Sequence, residues 1–259
     1  MIVVKFGGNA LAQASENRWL DLIADYHKGG GRVVIIHGGG PQIDAELSLH
    51  GVPRNFVEGY RFTDGQTMQI VEMVLASIGQ YLVRELRARG VRALSLTGSD
   101  GGLFEVDLKK SPSGQDLGQV GEVRAVKTEI LELITSQGFL PVVSSCSSLP
   151  NGLGINVNAD LAAGALAGAI SAEKIIFMTD VKGIYRHFPD EESLIAQSSP
   201  QELAQLLPSL HEGMIPKVEA VIQALNLGAK SAQIIDGRSS DALALALQGK
   251  PEGTLVHHG

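Results

Sequence analysis

The chain has 259 residues, a formal net charge of −7 and a hydrophobic content of 44%. This length suffices for one large α/β domain or two fused lobes, and the acidic excess argues against non-specific nucleic-acid binding. No apolar run is long enough to predict a membrane-spanning helix, and no signal peptide is evident at the start of the sequence. The single cysteine, Cys146, fits a reducing compartment, so a cytoplasmic location is expected.

Strand signals alternate with helical patterns along the chain, which predicts a mainly parallel sheet covered by helices on both faces. The elements predicted in the first part are a strand over Ile2–Phe6, a helix over Glu16–Tyr26, a strand over Arg32–His37, a helix over Pro41–His50, a hairpin or flap over Gly51–Phe62, a long helix capped by Thr63 or Asp64 and running to about Arg89, and a strand over Val91–Leu96.

The polar stretch Phe104–Val123 contains Pro112 and several glycines, and these residues predict an excursion over the surface. The elements predicted after it are a helix over Thr128–Gln137, a strand over Leu140–Ser145, a helix over Leu161–Ala169, a strand over Lys174–Met178, helices over Pro200–Leu207 and Lys217–Leu227, a strand over Ser231–Ile235, a helix over Asp241–Leu247 and a strand over Thr254–Val256. We expect one continuous sheet that carries two lobes.

Two apolar strands run directly into glycine turns, at Gly7-Gly8 and at Gly38-Gly39-Gly40. Glycines let the backbone approach a ligand closely, and the free N–H groups of such a turn and of the following helix attract an anion. A single turn of this kind is equally typical of a plain strand-to-helix connection. Neither turn matches a Walker A loop or a dinucleotide fingerprint.

Lys5 lies inside the first strand, where a lysine is costly unless it is paired or faces a ligand. Lys217 by itself is typical of a solvated helix residue, and Asp160 by itself is typical of a helix N-cap. Two lysines, one aspartate and two glycine turns together indicate phosphoryl transfer, which depends on positioning and charge stabilisation. An aspartate between two lysines could hold both side chains without touching the substrate.

Several motifs resemble the amino acid kinase superfamily and, within it, the acetylglutamate kinases. The resemblance covers nearly the whole chain, and the segments that carry it are Lys5–Asn9, His37–Gly40, Gly59–Thr63, Leu117–Val123, Gly138–Val142, Asn156–Asp160, Thr179–Gly183 and Gly213–Val218. It implies a three-layer α/β/α sandwich with a mainly parallel open central sheet. It also implies a single domain over residues 1–259, with an acceptor and dimerisation lobe over about 1–170 and an ATP lobe over about 171–259.

The implied reaction is transfer of the ATP γ-phosphate to the side-chain carboxylate of N-acetyl-L-glutamate, a step of arginine biosynthesis. By similarity, Lys5 and Lys217 would stabilise the transferring group, Asp160 would organise both lysines, and backbone N–H groups at Gly8, Gly39 and Gly40 would hold the γ-phosphate and the attacking carboxylate. Arg61 would bind the α-carboxylate and Asn156 the acetylamino group, while Gly7, Thr179, Asp180, Gly183 and Met214 would lie around the nucleotide. Mg²⁺ would arrive on the ATP phosphates, and no protein metal site is predicted.

Two alternatives stay open. The segment Phe188–Leu194 looks more like that of relatives that phosphorylate aminoadipate or glutamate on an acidic carrier protein. Such relatives would be expected to present a basic docking face to the carrier, whereas this chain is acidic overall. A binding protein of the same fold without turnover is the other alternative, and it would not need both lysines.

The sequence enters its first strand at Met1, so it resembles the arginine-insensitive acetylglutamate kinases that lack an additional N-terminal helix. That class forms homodimers through the long helix after Arg61, and a homodimer is therefore expected. No nucleic-acid or membrane partner is expected. His37 and Cys146 are predicted to be structural.

Overall fold

The computed structural model describes residues 1–7, 18–210 and 213–258. Its strands are β1 (Ile2–Phe6), β2 (Val33–His37), β3 (Phe56–Val57), β4 (Tyr60–Arg61), β5 (Ala93–Leu96), β6 (Phe104–Lys110), β7 (Asp116–Val126), β8 (Leu140–Ser144), β9 (Ser147–Ser148), β10 (Gly154–Val157), β11 (Lys174–Thr179), β12 (Gln197–Ser198), β13 (Ser231–Asp236) and β14 (Thr254–His257).

The helices agree with the predicted ones in their order along the described chain. They are α1 (Arg18–Lys28), α2 (Gly40–Leu49), α3 (Gly65–Ala88), α4 (Glu129–Ser136), α5 (Ala159–Ala169), α6 (Pro200–Leu206), α7 (Ile215–Asn226) and α8 (Ser240–Leu247). Asp64, one of the two predicted caps, begins α3 by accepting a hydrogen bond from the backbone N–H of Thr67. The predicted start of the first helix, at Glu16, lies outside the described residues.

A single eight-stranded sheet crosses the molecule in the order β12-β14-β13-β11-β1-β2-β8-β5. Its neighbouring strands are parallel except for the antiparallel pair β13 and β14, so the predicted mainly parallel sheet is confirmed. The carboxyl ends of parallel strands lie at one edge, which is where open α/β sheets bind ligands. β1 lies at the centre of this sheet, between β11 and β2.

Helices cover both faces of the sheet, and each face has its own hydrophobic core. Ile2, Val4 and Phe6 of β1 pack on the face covered by α1, α2, α3 and α8, whereas Val3 packs on the face covered by α4, α5, α6 and α7. Successive residues of a strand point to opposite faces. Lys5 therefore lies on the same face as Val3, the face covered by α5 and α7. This placement brings it to the carboxylate of Asp160 on α5.

The expectation of a surface excursion over Phe104–Val123 is wrong. β6 and β7 form an antiparallel hairpin that joins β10 and β9 in a separate four-stranded sheet. A side chain at Gly121 would lie 2.7 Å from the carbonyl oxygen of Asp107 on the paired strand. The glycine there permits close packing between strands and does not mark a turn, which is why the sequence pattern misled.

Asn156 also lies in a strand that the sequence did not predict, since β10 pairs in parallel with β7. The following helix α5 is capped by Asn158, whose side chain accepts hydrogen bonds from the backbone N–H groups of Asp160 and Leu161. Asp160 is thus free of the capping role that a sequence reading would give it. Across the described ranges, none of the helices combines the length and apolar character needed to cross a membrane.

Candidate active site

Two cavities lie side by side above the carboxyl end of the sheet. The first, here called the glycine cavity, has a volume of about 270 Å³ and is lined by the turn Gly38–Gly40, the β3–β4 hairpin and the start of α5. The second, here called the aromatic cavity, has a volume of about 370 Å³ and is lined by Tyr185, Phe188 and the residues before and within the first turn of α7. The two cavities are linked by the ion pairs that Asp160 forms with Lys5 and with Lys217.

Asp160 holds one lysine from each cavity. Its Oδ1 lies 2.7 Å from Nζ of Lys5, which lines the glycine cavity, and its Oδ2 lies 3.5 Å from Nζ of Lys217, which lines the aromatic cavity. Nζ of Lys217 also donates a hydrogen bond to the carbonyl oxygen of Gly213. The arrangement places two ammonium groups at the junction of the two cavities.

The charges of the two lysines keep the Asp160 carboxyl ionised in this cluster. Burial by itself would raise the pKa of the Asp160 carboxyl, but the charges of Lys5 and Lys217 outweigh burial and hold its pKa below the ordinary value. The side chains of Lys5 and Asp160 are both almost fully buried. A buried pair of this kind adds little net stability compared with apolar residues, so its presence at a cavity indicates function.

Two small residues let α5 and α7 come close enough for this contact. A side chain at Gly164 would lie 2.4 Å from the backbone oxygen of Ala220, and one at Gly168 would lie 2.3 Å from Cβ of Leu227. Both glycines follow Asp160 at intervals of four residues, so they share its helix face. The same face thus supplies the carboxylate and the close approach of the helix that carries Lys217.

The Gly38–Gly40 turn is shaped by its neighbours on both sides. A side chain at Gly39 would lie 2.6 Å from Cδ1 of Ile78 and would have to displace that side chain of α3, whereas the corresponding space at Gly40 is open. Gly40 is the first residue of α2, and the N–H groups of a first helical turn attract an anion. The turn can therefore take a negatively charged group in the glycine cavity.

His37 lies behind this turn and is fully buried. Burial lowers its pKa to about 4, and its Nδ1 lies 3.2 Å from the carbonyl oxygen of Gly38. The imidazole is therefore neutral at neutral pH and does not line either cavity. This geometry agrees with the structural role predicted for His37.

Arg61 brings a second cation to the glycine cavity, which Lys5 also lines. Its Nη1 lies 2.6 Å from Oδ1 of Asp44, and its guanidinium carbon lies 4.9 Å from the centre of the Phe56 ring. Only 10% of the Arg61 side chain is exposed. The sequence did not predict Asp44, because its contact with Arg61 depends on how the β3–β4 hairpin folds over α2.

Asn156 lines the glycine cavity beside Arg61. Its side-chain amide donates a hydrogen bond to Oγ1 of Thr63, which in turn donates to the carbonyl oxygen of Arg61. These bonds fix the amide and leave its carbonyl oxygen without a described protein donor. Ser145 also lines this cavity and was not predicted, since its strand reads as core.

Of the residues predicted to lie around the nucleotide, three line one of the two cavities and two line neither. Asp180 and Met214 line the aromatic cavity, and Gly7 lines the glycine cavity. The Thr179 hydroxyl bonds instead to backbone groups of Val181 and Ile235, and a side chain at Gly183 would collide with Thr254. Thr179 and Gly183 therefore shape the turn after β11 without lining a cavity.

The remaining predicted residue, Gly8, lies outside the described residues. Tyr185, Arg186 and Phe188 line the aromatic cavity and were not among the site residues predicted from the sequence. The Tyr185 and Phe188 rings meet edge to face with centroids 5.7 Å apart. Phe188 is 61% exposed whereas Tyr185 is buried, and two aromatic residues three positions apart in a predominantly polar stretch are the signal that could have identified them.

The sequence matches the family model described as "Amino acid kinase family" over residues 1–236. An acetylglutamate kinase of Rhodococcus jostii (strain RHA1) is 41% identical over 268 aligned positions, which cover 100% of this chain and 86% of that protein. An acetylglutamate kinase of Mycobacterium sp. (strain JLS) is 38% identical over 252 aligned positions, which cover 95% of this chain and 87% of that protein.

Among solved structures, the crystal structure of smu.665 from Streptococcus mutans UA159 is similar throughout. It has a TM-score of 0.83 and 27% sequence identity, and the match covers 99% of this chain and 98% of that one.

Proposed function

This chain belongs to the amino acid kinase family, and from that membership we propose that it transfers the γ-phosphate of ATP to the side-chain carboxylate of N-acetyl-L-glutamate. The product is N-acetyl-L-glutamyl 5-phosphate, and the reaction belongs to arginine biosynthesis. The support is identity of about 40% to acetylglutamate kinases over nearly the whole chain and a site whose charges fit the two substrates.

The observation that carries the proposal is the pair of lysines held by Asp160 at the junction of the two cavities. We place the nucleotide in the aromatic cavity, where Asp180, Met214, Tyr185 and Phe188 surround it, and the acceptor in the glycine cavity. The γ-phosphate then lies between Lys5 and Lys217. Two ammonium groups at that point stabilise charge on the transferring group.

The acceptor is a dianion with one carboxylate at each end, and the glycine cavity offers a cation for each. Lys5 and Arg61 both line that cavity, and we assign Lys5 to the reacting carboxylate because it contacts Asp160 at the junction of the two cavities. A guanidinium suits the non-reacting α-carboxylate because it presents a fork of donors. Asn156 and the backbone N–H groups at Gly39 and Gly40 hold the acetylamino group and the reacting carboxylate.

The transfer forms a bond from a carboxylate oxygen to the γ-phosphorus and breaks the bond to the β,γ-bridging oxygen, so ADP leaves with that electron pair. The attacking carboxylate is already ionised at neutral pH, so no residue has to remove a proton. Asp160 cannot serve as a base while two lysines hold its pKa down. Its role is to position both ammonium groups.

Mg²⁺ is proposed to enter with ATP. Within the described part of the chain, no group of three or more His, Cys, Asp or Glu side chains could hold a metal ion, and Asp180 is the carboxylate that lines the aromatic cavity. Phosphate oxygens and water complete the coordination of Mg²⁺ in many kinases. The ion would neutralise charge on the nucleotide phosphates when bound.

The division of roles along the chain follows from these positions. The residues proposed for the acceptor come from about 1–170, and those proposed for the nucleotide come mainly from about 171–259. We also propose that the molecule works in the cytoplasm as a homodimer through α3. The exposed residues Gln69, Met73, Ala76 and Gln80 form an uncharged stripe along that helix, whereas the solvent face of a helix is normally charged.

The reaction is tested by ATP-dependent acyl-phosphate formation, trapped as the hydroxamate with hydroxylamine. N-acetyl-L-glutamate, free glutamate and N-acetyl-L-aminoadipate are compared at equal concentrations. We expect a strong preference for N-acetyl-L-glutamate. Free glutamate lacks the acetyl group proposed to contact Asn156, and N-acetyl-L-aminoadipate has one more methylene, which displaces its reacting carboxylate when Arg61 holds the α-carboxylate.

If none of the three acceptors reacts, the same assay with glutamate or aminoadipate linked to an acidic carrier protein decides between the alternatives. Turnover of the carrier-linked substrate would replace the proposed acceptor. Failure there as well would favour a nucleotide-binding protein without turnover.

A further inference from the structure

We propose that Asp44 is the positioning residue for Arg61, and that it sets the affinity for the α-carboxylate of the acceptor. The inference rests on the proposed function, since it takes the acceptor to be a dicarboxylate bound in the glycine cavity. Asp44 itself does not line that cavity, whereas Arg61 and Phe56 do. Asp44 thus acts on the acceptor only through the guanidinium.

The contact is short and one-sided. Oδ1 of Asp44 lies 2.6 Å from Nη1 of Arg61, and this is the ion pair of Arg61 found among the described residues. The Phe56 ring covers one face of the same guanidinium at 4.9 Å. A carboxylate therefore lies beside Nη1 and an aromatic ring lies against one face, and the rest of the planar group is available to a ligand in the cavity.

Asp44 is in turn fixed from outside the cavity. Its second oxygen, Oδ2, lies 3.3 Å from Nη2 of Arg54, and 58% of the Arg54 side chain is exposed. The carboxylate is carried by α2, one turn after Gly40. The helix whose first turn faces the reacting end of the acceptor therefore also orients the cation at the opposite end.

Asp44 has two opposing effects on the affinity of Arg61 for the acceptor, one from its charge and one from its contact with the guanidinium. Its negative charge weakens the attraction of Arg61 for a second carboxylate, but its contact holds a long side chain in one orientation. Without Asp44 the acceptor itself would have to order the guanidinium, and that ordering opposes binding. Because the group is nearly buried and already paired at 2.6 Å, we take the orienting effect to be the larger.

The experiment compares two acceptors on Asp44→Ala, Asp44→Asn and wild type. The first acceptor is N-acetyl-L-glutamate, and the second is 4-acetamidobutanoate, which keeps the reacting carboxylate and the acetylamino group but has no α-carboxylate. For Asp44→Ala we expect KM for N-acetyl-L-glutamate to rise about tenfold, with kcat nearly unchanged. KM for 4-acetamidobutanoate should stay the same, and Asp44→Asn, which keeps one acceptor oxygen, should restore part of the loss.

The matched control is Glu46→Ala, which removes another carboxylate from α2. Glu46 pairs with the exposed His50, so this variant should leave both KM values unchanged. An equal rise of KM for both acceptors in Asp44→Ala would show a merely structural role and would overturn the proposal. A fall of KM for N-acetyl-L-glutamate in Asp44→Asn would overturn it too, because charge and not orientation would then dominate.

A second measurement needs no acceptor. The Arg61 Nε–H resonance, assigned by its loss in Arg61→Lys, should be ordered in the ligand-free wild type and become mobile in Asp44→Ala. If the wild type does not phosphorylate N-acetyl-L-glutamate, the proposed function fails, and this resonance still decides whether Asp44 positions Arg61. An unchanged resonance in Asp44→Ala would refute the positioning role.

Discussion

At the scale of single residues, the site depends on the two lysines, Lys5 and Lys217, that form ion pairs with Asp160. Lys217 lies in the first turn of α7 and contacts Oδ2 of Asp160 at 3.5 Å. We expect Lys217→Ala to lower kcat about a hundredfold or more, because one preorganised donor to the transition state is lost. KM for the acceptor should change little, since Arg61 and Asn156 remain.

Steady-state kinetics with saturating ATP measure this effect, and Lys230→Ala serves as the control because Lys230 lines neither cavity. A Lys217→Ala enzyme with wild-type kcat would contradict the assignment. The expected pattern of lowered kcat with unchanged KM is typical of an interaction made mainly in the transition state.

Residues also show where sequence reasoning reached and where it stopped. Lys5 could be identified because a lysine within a buried strand needs a partner, and the partner is Asp160. Asp44 gave no such signal, since an acidic residue within a helix is ordinarily explained as part of its polar face. Its contact with Arg61 depends on how the β3–β4 hairpin packs against α2, and local sequence does not give that packing.

At the scale of elements, the close approach of α5 and α7 positions the two lysines. Gly164→Ala would bring Cβ to 2.4 Å from the backbone oxygen of Ala220, so the helices must separate. We expect a loss of about 1–3 kcal/mol in the free energy of unfolding. We also expect a lower kcat, because Lys217 moves with α7 away from Asp160.

Chemical denaturation measures the first effect and kinetics the second. The control is Leu86→Ala, which opens a cavity around a fully buried side chain near the C-terminal end of α3, about 16 Å along the helix beyond Leu75 of the glycine cavity. It should lower stability by about 2–5 kcal/mol and leave kcat unchanged below the unfolding transition. Equal kcat for Gly164→Ala and wild type would show that helix separation does not matter for Lys217.

The elements predicted best were those with a strong local signal. The long helix α3 was predicted almost to the residue from its apolar spacing and from Asp64 as a cap. The β6–β7 hairpin was missed because its glycines were taken as turn signals. At Gly118 and Gly121 the missing side chain makes room for the carbonyl oxygens of Thr63 and Asp107, and such long-range contacts cannot be read from a local pattern.

At the scale of the whole molecule, one sheet explains how residues from distant parts of the chain meet. β1 and β11 are adjacent, so the strand that carries Lys5 lies beside the strand that ends at the aromatic cavity. Alternating strands and helices predicted this sheet, but they did not give the order of its strands. The sequence could therefore predict that the site lies at the carboxyl edge, without giving the distances that join Lys5, Asp160 and Lys217.

The uncharged stripe on α3 leads to a prediction about assembly. Light scattering of the eluting wild type should give about twice the chain mass of 27.4 kDa. Met73, which is 53% exposed, lies in the middle of the stripe. Met73→Arg should give the monomer mass at micromolar concentration, because a buried arginine without a partner opposes association.

The matched control places the same substitution on another exposed apolar residue. Leu133 on α4 is 60% exposed, so Leu133→Arg should stay dimeric. A monomeric wild type, or a Met73→Arg variant that still elutes as a dimer, would contradict an interface on α3. If Met73→Arg is monomeric and keeps its kcat, each subunit contains a complete site.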